Sequence, residues 1–295
     1  VCRIFNPEAK TFDISMLGFD DETLVKWKEV VDKPTGLILL TGPTGSGKTT
    51  AIYAAIGFIL DKQGNAVSVS SVEDPVEQNL DWVNQSSLNT AQGYTYPIAL
   101  RSLMRQDPEI IMIGEIRDKE TSEIAVNAAM TGHMVMSTLH SGTTSGTFAR
   151  LINMDIEPFL LASTIIGVLG LRLLRQNCIH CSGPYTPEPF ALEQLRQHEG
   201  EEYLQSLVSQ EGFYRGNGCS ACGNTGFGGR SSITELLVCD EEIREAVMLK
   251  KPSRVIQKIA VDNGMRVLWD GGLQLVVDRR TTLEEILKQV AADQV

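Results

Sequence analysis

The sequence predicts an α/β protein in which helices cover a parallel sheet, followed by a small module and a helical tail. Short apolar runs alternate with amphipathic stretches of helical length from Gly36 to about Arg175, as in βαβ units. Between Gln176 and Gly229 this pattern is lost, and Cys, Gly and Pro crowd both ends of the segment. From Ser231 onward, apolar residues return at helical spacing. These three observations define the fold class.

Periodicity assigns individual strands and helices to the first part of the chain. The predicted strands are residues 37–41, 66–72, 110–114 and 135–139, and the predicted helices are residues 48–61, 98–106, 119–130 and 159–174. Residues 159–174 are the most apolar stretch, but they include Arg172 and fall short of the roughly 20 residues that a membrane-spanning helix needs. We therefore expect a buried helix there. Residues 82–90 alternate partly between turn-prone flanks, which favours a hairpin inserted in the α/β core.

Length, composition and charge exclude several classes of protein. A chain of 295 residues, 42% hydrophobic and 21% charged, predicts about two globular domains rather than a disordered chain. Its 26 basic and 37 acidic residues give a formal net charge of -11, whereas proteins that bind phosphate backbones usually present a basic surface. We therefore expect no nucleic acid among its partners.

The start of the chain and its cysteines bear on where the protein works. No charged segment followed by an apolar one opens the chain, so we predict no signal peptide. The chain begins at Val1 without a Met, and residues 1–5 resemble the end of a strand, so we expect a further part of the protein upstream. Four of the six cysteines form two C-x-x-C pairs, which suit a metal better than disulfides and favour a reducing cytosol.

A glycine-rich motif lies between the first predicted strand and the first predicted helix. Residues 42–49 match G-x-x-x-x-G-K-[ST] in full, so their backbone N–H groups can point inward at phosphate oxygens. Lys48 would reach the β and γ phosphates of ATP, and the Thr49 hydroxyl would bind Mg²⁺. The residues expected to contact the nucleotide are Gly42, Pro43, Thr44, Gly45, Ser46, Gly47, Lys48, Thr49 and Thr50. The alternative is a glycine-rich turn without a ligand.

Carboxylates follow two other predicted strands. Glu115 comes after a run of four apolar residues, so it should face Mg²⁺ from the carboxyl edge of the sheet; the alternative is a surface acid. Glu73 and Asp74 follow the second predicted strand, and ATP hydrolysis needs one group that orients and deprotonates the attacking water. Adjacent strand residues point to opposite faces, so only one of the two can readily face the nucleotide, and either could serve. The alternative is a pair that caps a turn before Pro75.

Two histidines bracket the strand predicted at residues 135–139. His133 and His140 lie at opposite ends of this strand, which argues against a shared metal ion. His140 follows the carboxyl end of the strand, where it could sense a bound phosphate. The alternative is a histidine that only makes an ordinary hydrogen bond.

The two C-x-x-C pairs, separated by 37 residues, predict a structural metal site. Four thiolates suit tetrahedral Zn²⁺ and leave no open position for catalysis. The predicted zinc ligands are Cys178, Cys181, Cys219 and Cys222. The alternatives are a redox disulfide and a site in which His180 replaces one cysteine. Cys2 and Cys239 would be ordinary apolar fillers.

Taken together, these motifs give the chain a resemblance to the secretion ATPase superfamily, which powers type II secretion and type IV pilus assembly. The resemblance runs from about Thr35 to Leu287. It includes a Walker A box at residues 42–49, an acidic box at 72–77, a Walker B box at 114–118 and a histidine box at 131–140. On the matching positions, the resemblance implies that Glu73 is the general base, Glu115 the Walker B acid and His140 the γ-phosphate contact.

The resemblance also implies a domain organisation and partners. It divides the chain into the end of a truncated N-terminal domain with a connecting helix (1–34), a RecA-like P-loop ATPase core (35–175), a four-cysteine zinc module (176–230) and a helical C-terminal subdomain (231–295). It implies a homohexamer, cytoplasmic and peripheral at the inner membrane, that binds an inner-membrane platform protein. An arginine acting in trans is expected from the part upstream of Val1, so this chain alone should hydrolyse ATP slowly.

The sequence thus predicts an ATP-hydrolysing motor for type IV pilus extension or type II secretion, with ATP, Mg²⁺ and Zn²⁺. The zinc module favours extension or secretion, since retraction motors of the superfamily typically lack it. Two alternatives stay open. One is a DNA-handling P-loop ATPase of a conjugation-type machine, against which the acidic balance and the cysteines count. The other is a nucleotide-binding adaptor that does not turn over ATP, which a measurement of phosphate release would separate from a motor.

Overall fold

Buried parallel strands organise the first of the two units into which the chain divides. The computed structural model describes residues 12–64, 67–210 and 212–290. Unit 1 comprises residues 1–170 and 235–265, and unit 2 comprises residues 171–234 and 266–295. The four-segment division expected from the resemblance stays a prediction. Residues 1–5, interpreted above as the end of a strand, lie outside the described residues.

Nine strands are present in the described part of the chain. They are β1 (Gly36–Thr41), β2 (Val69–Glu73), β3 (Asn84–Ser87), β4 (Ile110–Ile113), β5 (Met134–Leu139), β6 (Ile165–Asn177), β7 (Ser182–Tyr185), β8 (Phe213–Gly216) and β9 (Phe227–Val238). Seven of them form one sheet in the order β3-β2-β4-β5-β1-β6-β9, and β7 pairs with β8 in a separate antiparallel ribbon. Strands β1 to β6 are paired in parallel in this sheet.

Twelve α-helices are present in the same residues. They are α1 (Asp21–Val31), α2 (Lys48–Gln63), α3 (Tyr96–Leu103), α4 (Lys119–Met130), α5 (Gly146–Asn153), α6 (Pro158–Thr164), α7 (Pro189–Glu199), α8 (Glu201–Gln210), α9 (Glu241–Met248), α10 (Ser253–Asp262), α11 (Leu268–Val277) and α12 (Leu283–Val290). Side chains of Asp20, Asp118 and Asp240 cap α1, α4 and α9 by accepting backbone N–H bonds. Among the described residues, no helix combines the length and apolarity needed to cross a bilayer.

The core of unit 1 lies around the central strands. Every residue of β1, β2, β4 and β5 is buried, and seven residues of α2 are buried as well. Strands covered on both faces need apolar residues at nearly every position, which explains the continuous apolar runs in the sequence. The predictions of strands at 37–41, 110–114 and 135–139 and of helices at 48–61 and 119–130 are confirmed to within a few residues. Strand β2 begins at Val69, and Ala66, its predicted first residue, lies outside the described residues.

The prediction of one helix over residues 159–174 is wrong beyond Thr164. Helix α6 ends there, and β6 pairs in parallel with β1, with Leu37 opposite Ile165 and Thr41 opposite Gly170. An apolar run that is buried on all sides looks alike in a helix and in a central strand, so periodicity could not separate them. The β-branched Ile165 and Ile166, which favour strands, mark the change.

The predicted hairpin at residues 82–90 is also wrong. The segment holds the single strand β3, which pairs in parallel with β2, with Ser70 opposite Asn84 and Glu73 opposite Ser87. The strand is short, polar and partly exposed, as expected for the edge of a sheet. The partial alternation of the sequence reflects this edge position.

The helical tail is confirmed by helices α9 to α12, but it begins later than predicted. Residues 231–238, including Leu236 and Leu237, belong to strand β9. The helical spacing that includes these two leucines was therefore fortuitous. Cys239 follows the strand and is buried, and burial raises the pKa of its thiol to about 12.

Unit 2 has its own hydrophobic core. Helices α7, α8, α11 and α12 contribute most of its buried residues, among them Leu195, Leu204, Trp269, Leu273 and Ile286. The helices α7 and α8 confirm the helical periodicity seen near residues 190–208. The carboxylate of Glu285, 2% exposed, accepts four hydrogen bonds from the backbone and guanidinium of Arg175 at 2.6 to 3.1 Å.

This ion pair predicts a pH-dependent stability of unit 2. Burial raises the pKa of Glu285, but the hydrogen bonds and charge of Arg175 outweigh it and hold the pKa below its ordinary 4.5. The stabilisation is therefore present above that ordinary value and is lost as the pH falls below it. Denaturant unfolding of unit 2 should show Glu285→Gln less stable at neutral pH by about 1.5 kcal/mol, the lower range for a charged hydrogen bond because Arg175 is half exposed.

The matched control is Glu193→Gln, which breaks an exposed pair with Arg196 and should change the free energy of unfolding by less than about 0.5 kcal/mol. The difference between wild type and Glu285→Gln should shrink as the pH falls from about 6 to about 3. A difference that stays constant over this range would contradict the assignment to the charge of Glu285.

Candidate nucleotide-binding site and four-cysteine cluster

The carboxyl ends of four neighbouring strands bring the predicted nucleotide residues to one edge of the sheet. Strands β2, β4, β5 and β1 are adjacent in that order and paired in parallel. Glu73 ends β2, Glu115 follows β4, His140 follows β5, and the glycine-rich loop follows β1. Residues that lie far apart in sequence therefore line one edge, as in other open α/β sheets that bind ligands there.

The glycine-rich loop has a backbone that fits phosphate oxygens. Gly45 and Gly47 have φ angles of 79° and 95°, in the left-handed region that residues with a Cβ avoid, and α2 begins directly after Gly47. The first N–H groups of α2 therefore face the loop and favour an anion. The Ser46 hydroxyl is buried and has no hydrogen-bond partner among the described residues. The ammonium of Lys48 donates to the carbonyls of Gly42 and Pro43 at 2.7 and 2.9 Å.

Glu73 is a buried carboxylate held by three side-chain donors. Glu73 as a whole is only 2% exposed to solvent. Tyr53 of α2 donates its hydroxyl to Oε2 at 2.5 Å, while Ser71 and Gln85 donate to Oε1 at 2.7 and 3.1 Å. Burial raises the pKa of Tyr53, and its hydrogen bond to Glu73 raises it further, so the phenol keeps its proton. These contacts fix the orientation of the carboxylate.

Glu115 contacts two basic side chains, His140 and Arg117. The Nε2 atom of His140 lies 2.9 Å from Oε1 of Glu115, and Arg117 donates its Nε–H to Oε2 at 2.6 Å. The hydrogen bond to Glu115 raises the pKa of Arg117. Arg117 also lies 3.6 Å from Asp74, whose side chain is 41% exposed. The histidine box and the Walker B box are thus in contact through His140 and the carboxylate of Glu115.

A glycine permits the close approach of β4 to β2. A Cβ added at Gly114 would lie 2.7 Å from the hydroxyl of Tyr96 and 3.3 Å from Cα of Glu73. Burial and the neighbouring negative charge of Asp74 raise the pKa of Tyr96 to about 12, so this hydroxyl also stays protonated. A side chain at this position would displace the Tyr96 hydroxyl and press on the backbone at the end of β2.

His133 and Arg101 have separate surroundings. The Nδ1 atom of His133 lies 2.9 Å from the carbonyl of Ala128, at the opposite end of β5 from His140. Arg101 forms an exposed ion pair with Glu120 at 2.6 Å. Tyr53, which bonds Glu73, was not among the site residues predicted from sequence. The available signal was a phenol inside an apolar helix, since a buried hydroxyl needs an acceptor.

The four cysteines of the two C-x-x-C pairs form a cluster in unit 2. All four Sγ atoms lie within 4.8 Å of one another, and this is the only group of candidate metal ligands found among the described residues. The Sγ separations are 3.8 Å for Cys178 and Cys219, 3.9 Å for Cys181 and Cys222, and 3.7 Å for Cys219 and Cys222. His180 is not a member of the cluster.

The dimensions of the cluster fit tetrahedral zinc. Four sulfurs at about 2.3 Å from a tetrahedral Zn²⁺ lie about 3.8 Å from each other, close to the three separations above. Backbone N–H groups of Cys219 and Gly226 point at the sulfur of Cys222 at 3.2 and 3.3 Å. Such N–H contacts favour the thiolate form that binds metal. Each C-x-x-C turn therefore supplies two sulfurs to one side of a common centre.

Comparisons with known proteins agree with this architecture. A model of the family described as type II/IV secretion system protein matches residues 1–288. The chain belongs to this family. Among its curated relatives, the type IV pilus assembly ATPase PilB of Thermus thermophilus is 41% identical over 287 residues, covering 97% of this chain and 31% of the relative. The type II secretion system protein HxcR of Pseudomonas aeruginosa is 39% identical over 288 residues, covering 98% and 55%.

This secretion-family chain thus spans about a third to a half of these relatives, and solved structures share its fold. The crystal structure of the pilus retraction motor PilT with bound ADP has a TM-score of 0.66 and 25% identity, covering 96% of this chain and 68% of that one. The ATPase DotB of Legionella pneumophila has a TM-score of 0.67 at 20% identity, covering 95% and 66%, which shows likeness of fold alone. The predicted α/β P-loop fold class is confirmed.

Proposed function

We propose that this member of the secretion family is an ATP-hydrolysing motor that powers type IV pilus assembly or type II secretion. The observation that carries the proposal is the meeting of a full glycine-rich phosphate loop, two acids and a histidine at the carboxyl ends of four adjacent strands. The names of the relatives, a pilus assembly ATPase and a type II secretion protein, support the same activity.

In this proposal, the glycine-rich loop and the start of α2 bind the phosphates of ATP. Lys48 exchanges its two backbone carbonyl partners for the β and γ phosphate oxygens. The Thr49 hydroxyl would bind Mg²⁺, and the Glu115 carboxylate would face the metal from the end of β4. When bound, Mg²⁺ neutralises charge on the phosphate oxygens. His140, which contacts Glu115, is the proposed contact of the γ-phosphate.

Glu73 is the proposed general base. An ionised carboxylate has about four lone-pair sites, and three of those of Glu73 receive hydrogen bonds, so one acceptor site on Oε2 is left for the attacking water. The water oxygen bonds to the γ-phosphorus, the bond from that phosphorus to the β-γ bridging oxygen breaks, and Oε2 accepts the water proton. The buried, fixed side chain supports Glu73 over Asp74, which is exposed beside Arg117.

The proposal extends to zinc and to assembly. We infer that Cys178, Cys181, Cys219 and Cys222 bind one structural Zn²⁺, which the sulfur separations support. We also propose a homohexamer at the cytoplasmic face of the inner membrane, where it acts on a platform protein of the pilus or secretion machine. The acidic charge balance supports a protein partner over nucleic acid.

A comparison of two acids tests the chemistry. In the full-length protein, Glu73→Gln should lower steady-state phosphate release about 100-fold and leave nucleotide affinity within about twofold, because an amide keeps the shape but cannot accept the proton. The matched control Asp74→Asn should stay near the wild-type rate. Lys48→Ala should instead lose ATP binding. The reverse pattern for Glu73 and Asp74 would assign the base to Asp74.

Zinc binding has its own test. Elemental analysis should find one Zn²⁺ per chain in the wild type and a marked loss in Cys219→Ser, because three sulfurs hold the ion less tightly. The matched control Cys239→Ala changes a cysteine outside the cluster and should keep the full metal content. Hydrogen exchange should rise in unit 2 of Cys219→Ser, since metal binding supplies folding free energy. Full zinc content in Cys219→Ser would contradict the assignment of the ligands.

The biological system is tested by gene disruption, scored for surface pili and for exported proteins in the same strain. Loss of pili would assign the motor to pilus assembly, and loss of exported proteins would assign it to type II secretion. The catalytic variant Glu73→Gln should reproduce the phenotype of the disruption. A disrupted strain that keeps both pili and export would contradict the proposed function.

A further inference from the structure

A tyrosine on the helix that follows the phosphate loop is bonded directly to the proposed base. Tyr53 is 2% exposed, and its hydroxyl donates to Oε2 of Glu73 at 2.5 Å. This is the oxygen that keeps one free acceptor site, since Ser71 and Gln85 both donate to Oε1. Tyr53 therefore takes up one acceptor site of Oε2, and a second site on the same oxygen remains for another donor.

The position of Tyr53 on α2 links the base to the phosphate site. Tyr53 lies four residues after Thr49, so the two side chains lie on the same face of α2, one turn apart. The backbone of one helical turn is rigid, so Tyr53 keeps a fixed spacing from Thr49, whose hydroxyl would bind Mg²⁺. The proposed base thus lies on strand β2, and a side chain of α2 orients its carboxylate.

The ring of Tyr53 is itself held in place. It packs edge to face against Phe12, with ring centroids 5.2 Å apart. Gln85 donates to the other carboxylate oxygen of Glu73, Oε1, and also to the carbonyl of Gln78, while its own Oε1 accepts the N–H of Leu80. The carboxylate is thus held between helix α2 and strand β3, and the loop that follows β2 holds Gln85 in place.

We propose that Tyr53 is a positioning residue that directs the free acceptor site of Glu73 Oε2 toward the attacking water. This inference rests on the proposed function and adds a residue to its site. Tyr53 accepts no proton in the reaction, because its hydroxyl stays a donor throughout. Its removal leaves Oε2 with two free acceptor sites, so the carboxylate can rotate and accept other waters.

The test is Tyr53→Phe in the full-length protein, which removes one oxygen and keeps the ring against Phe12. We expect kcat for phosphate release to fall about tenfold, with KM for ATP and affinity for ADP within about twofold, because misdirection of the base affects the chemical step. In a Glu73→Gln background, Tyr53→Phe should cause no further fall, because the base it orients is already absent.

The chain offers a matched control. Tyr185 donates its hydroxyl to Glu284 at the same distance, 2.5 Å, but lies in unit 2, whose residues include none of the proposed nucleotide ligands. Tyr185→Phe removes the same type of bond and should leave kcat unchanged. Circular dichroism and thermal unfolding of both variants check the fold.

Each outcome decides a separate point. An active wild type with unchanged kcat in Tyr53→Phe overturns the positioning role alone. A tenfold fall that persists in the Glu73→Gln background, or a rise in KM with unchanged kcat, overturns it in favour of a structural or binding effect. A wild-type protein that releases no phosphate overturns the proposed function, and this inference with it.

Discussion

Parallel pairing of β2, β4, β5 and β1 is the constraint on which the rest of unit 1 depends. It sends four carboxyl ends to one edge, and polar groups within the buried strands hold those ends in register. Ser137 and Thr138 of β5 donate to the carbonyls of Ile113 and Gly114 at 2.9 and 2.7 Å. A shift of one residue in any of these strands would turn its terminal side chain to the other face. The relative positions of the site residues are thus set by strand pairing more than by the conformation of any single loop.

Much of this fold could be predicted because its signals are local. Buried parallel strands are short apolar runs, and amphipathic helices separate them, so the core was assigned from periodicity alone. The failures have physical reasons. Ile165 begins a strand within an apolar run that a buried helix could equally form, and Asn84 lies in an edge strand whose polar composition imitates a hairpin. The secondary structure of both segments depends on pairing with strands elsewhere in the chain, and the periodicity of a segment carries no information about its partner strand.

The candidate site was predictable where a motif specifies geometry. The glycine-rich loop and the two C-x-x-C pairs each define local turns, so the loop before α2 and the cysteine cluster were expected from spacing. The burial that separates Glu73 from Asp74 was not predictable, since neighbours in sequence differ here through contacts with other elements. The Tyr53 hydroxyl and Gln85 amide come from α2 and β3, and only the folded sheet brings them to Glu73.

Cys239 has a buried thiol, and the rate at which this thiol is chemically labelled reports local opening of unit 1. The thiolate is the form of cysteine that attacks alkylating reagents, and a thiol with a pKa of about 12 inside the core offers almost no thiolate at neutral pH. Its labelling must therefore wait for a fluctuation that exposes the chain around residue 239 to solvent. Among the described cysteines, the other four belong to the cluster in unit 2. Mass spectrometry of labelled peptides can thus measure the rate of local opening around residue 239, with no mutation introduced as a probe.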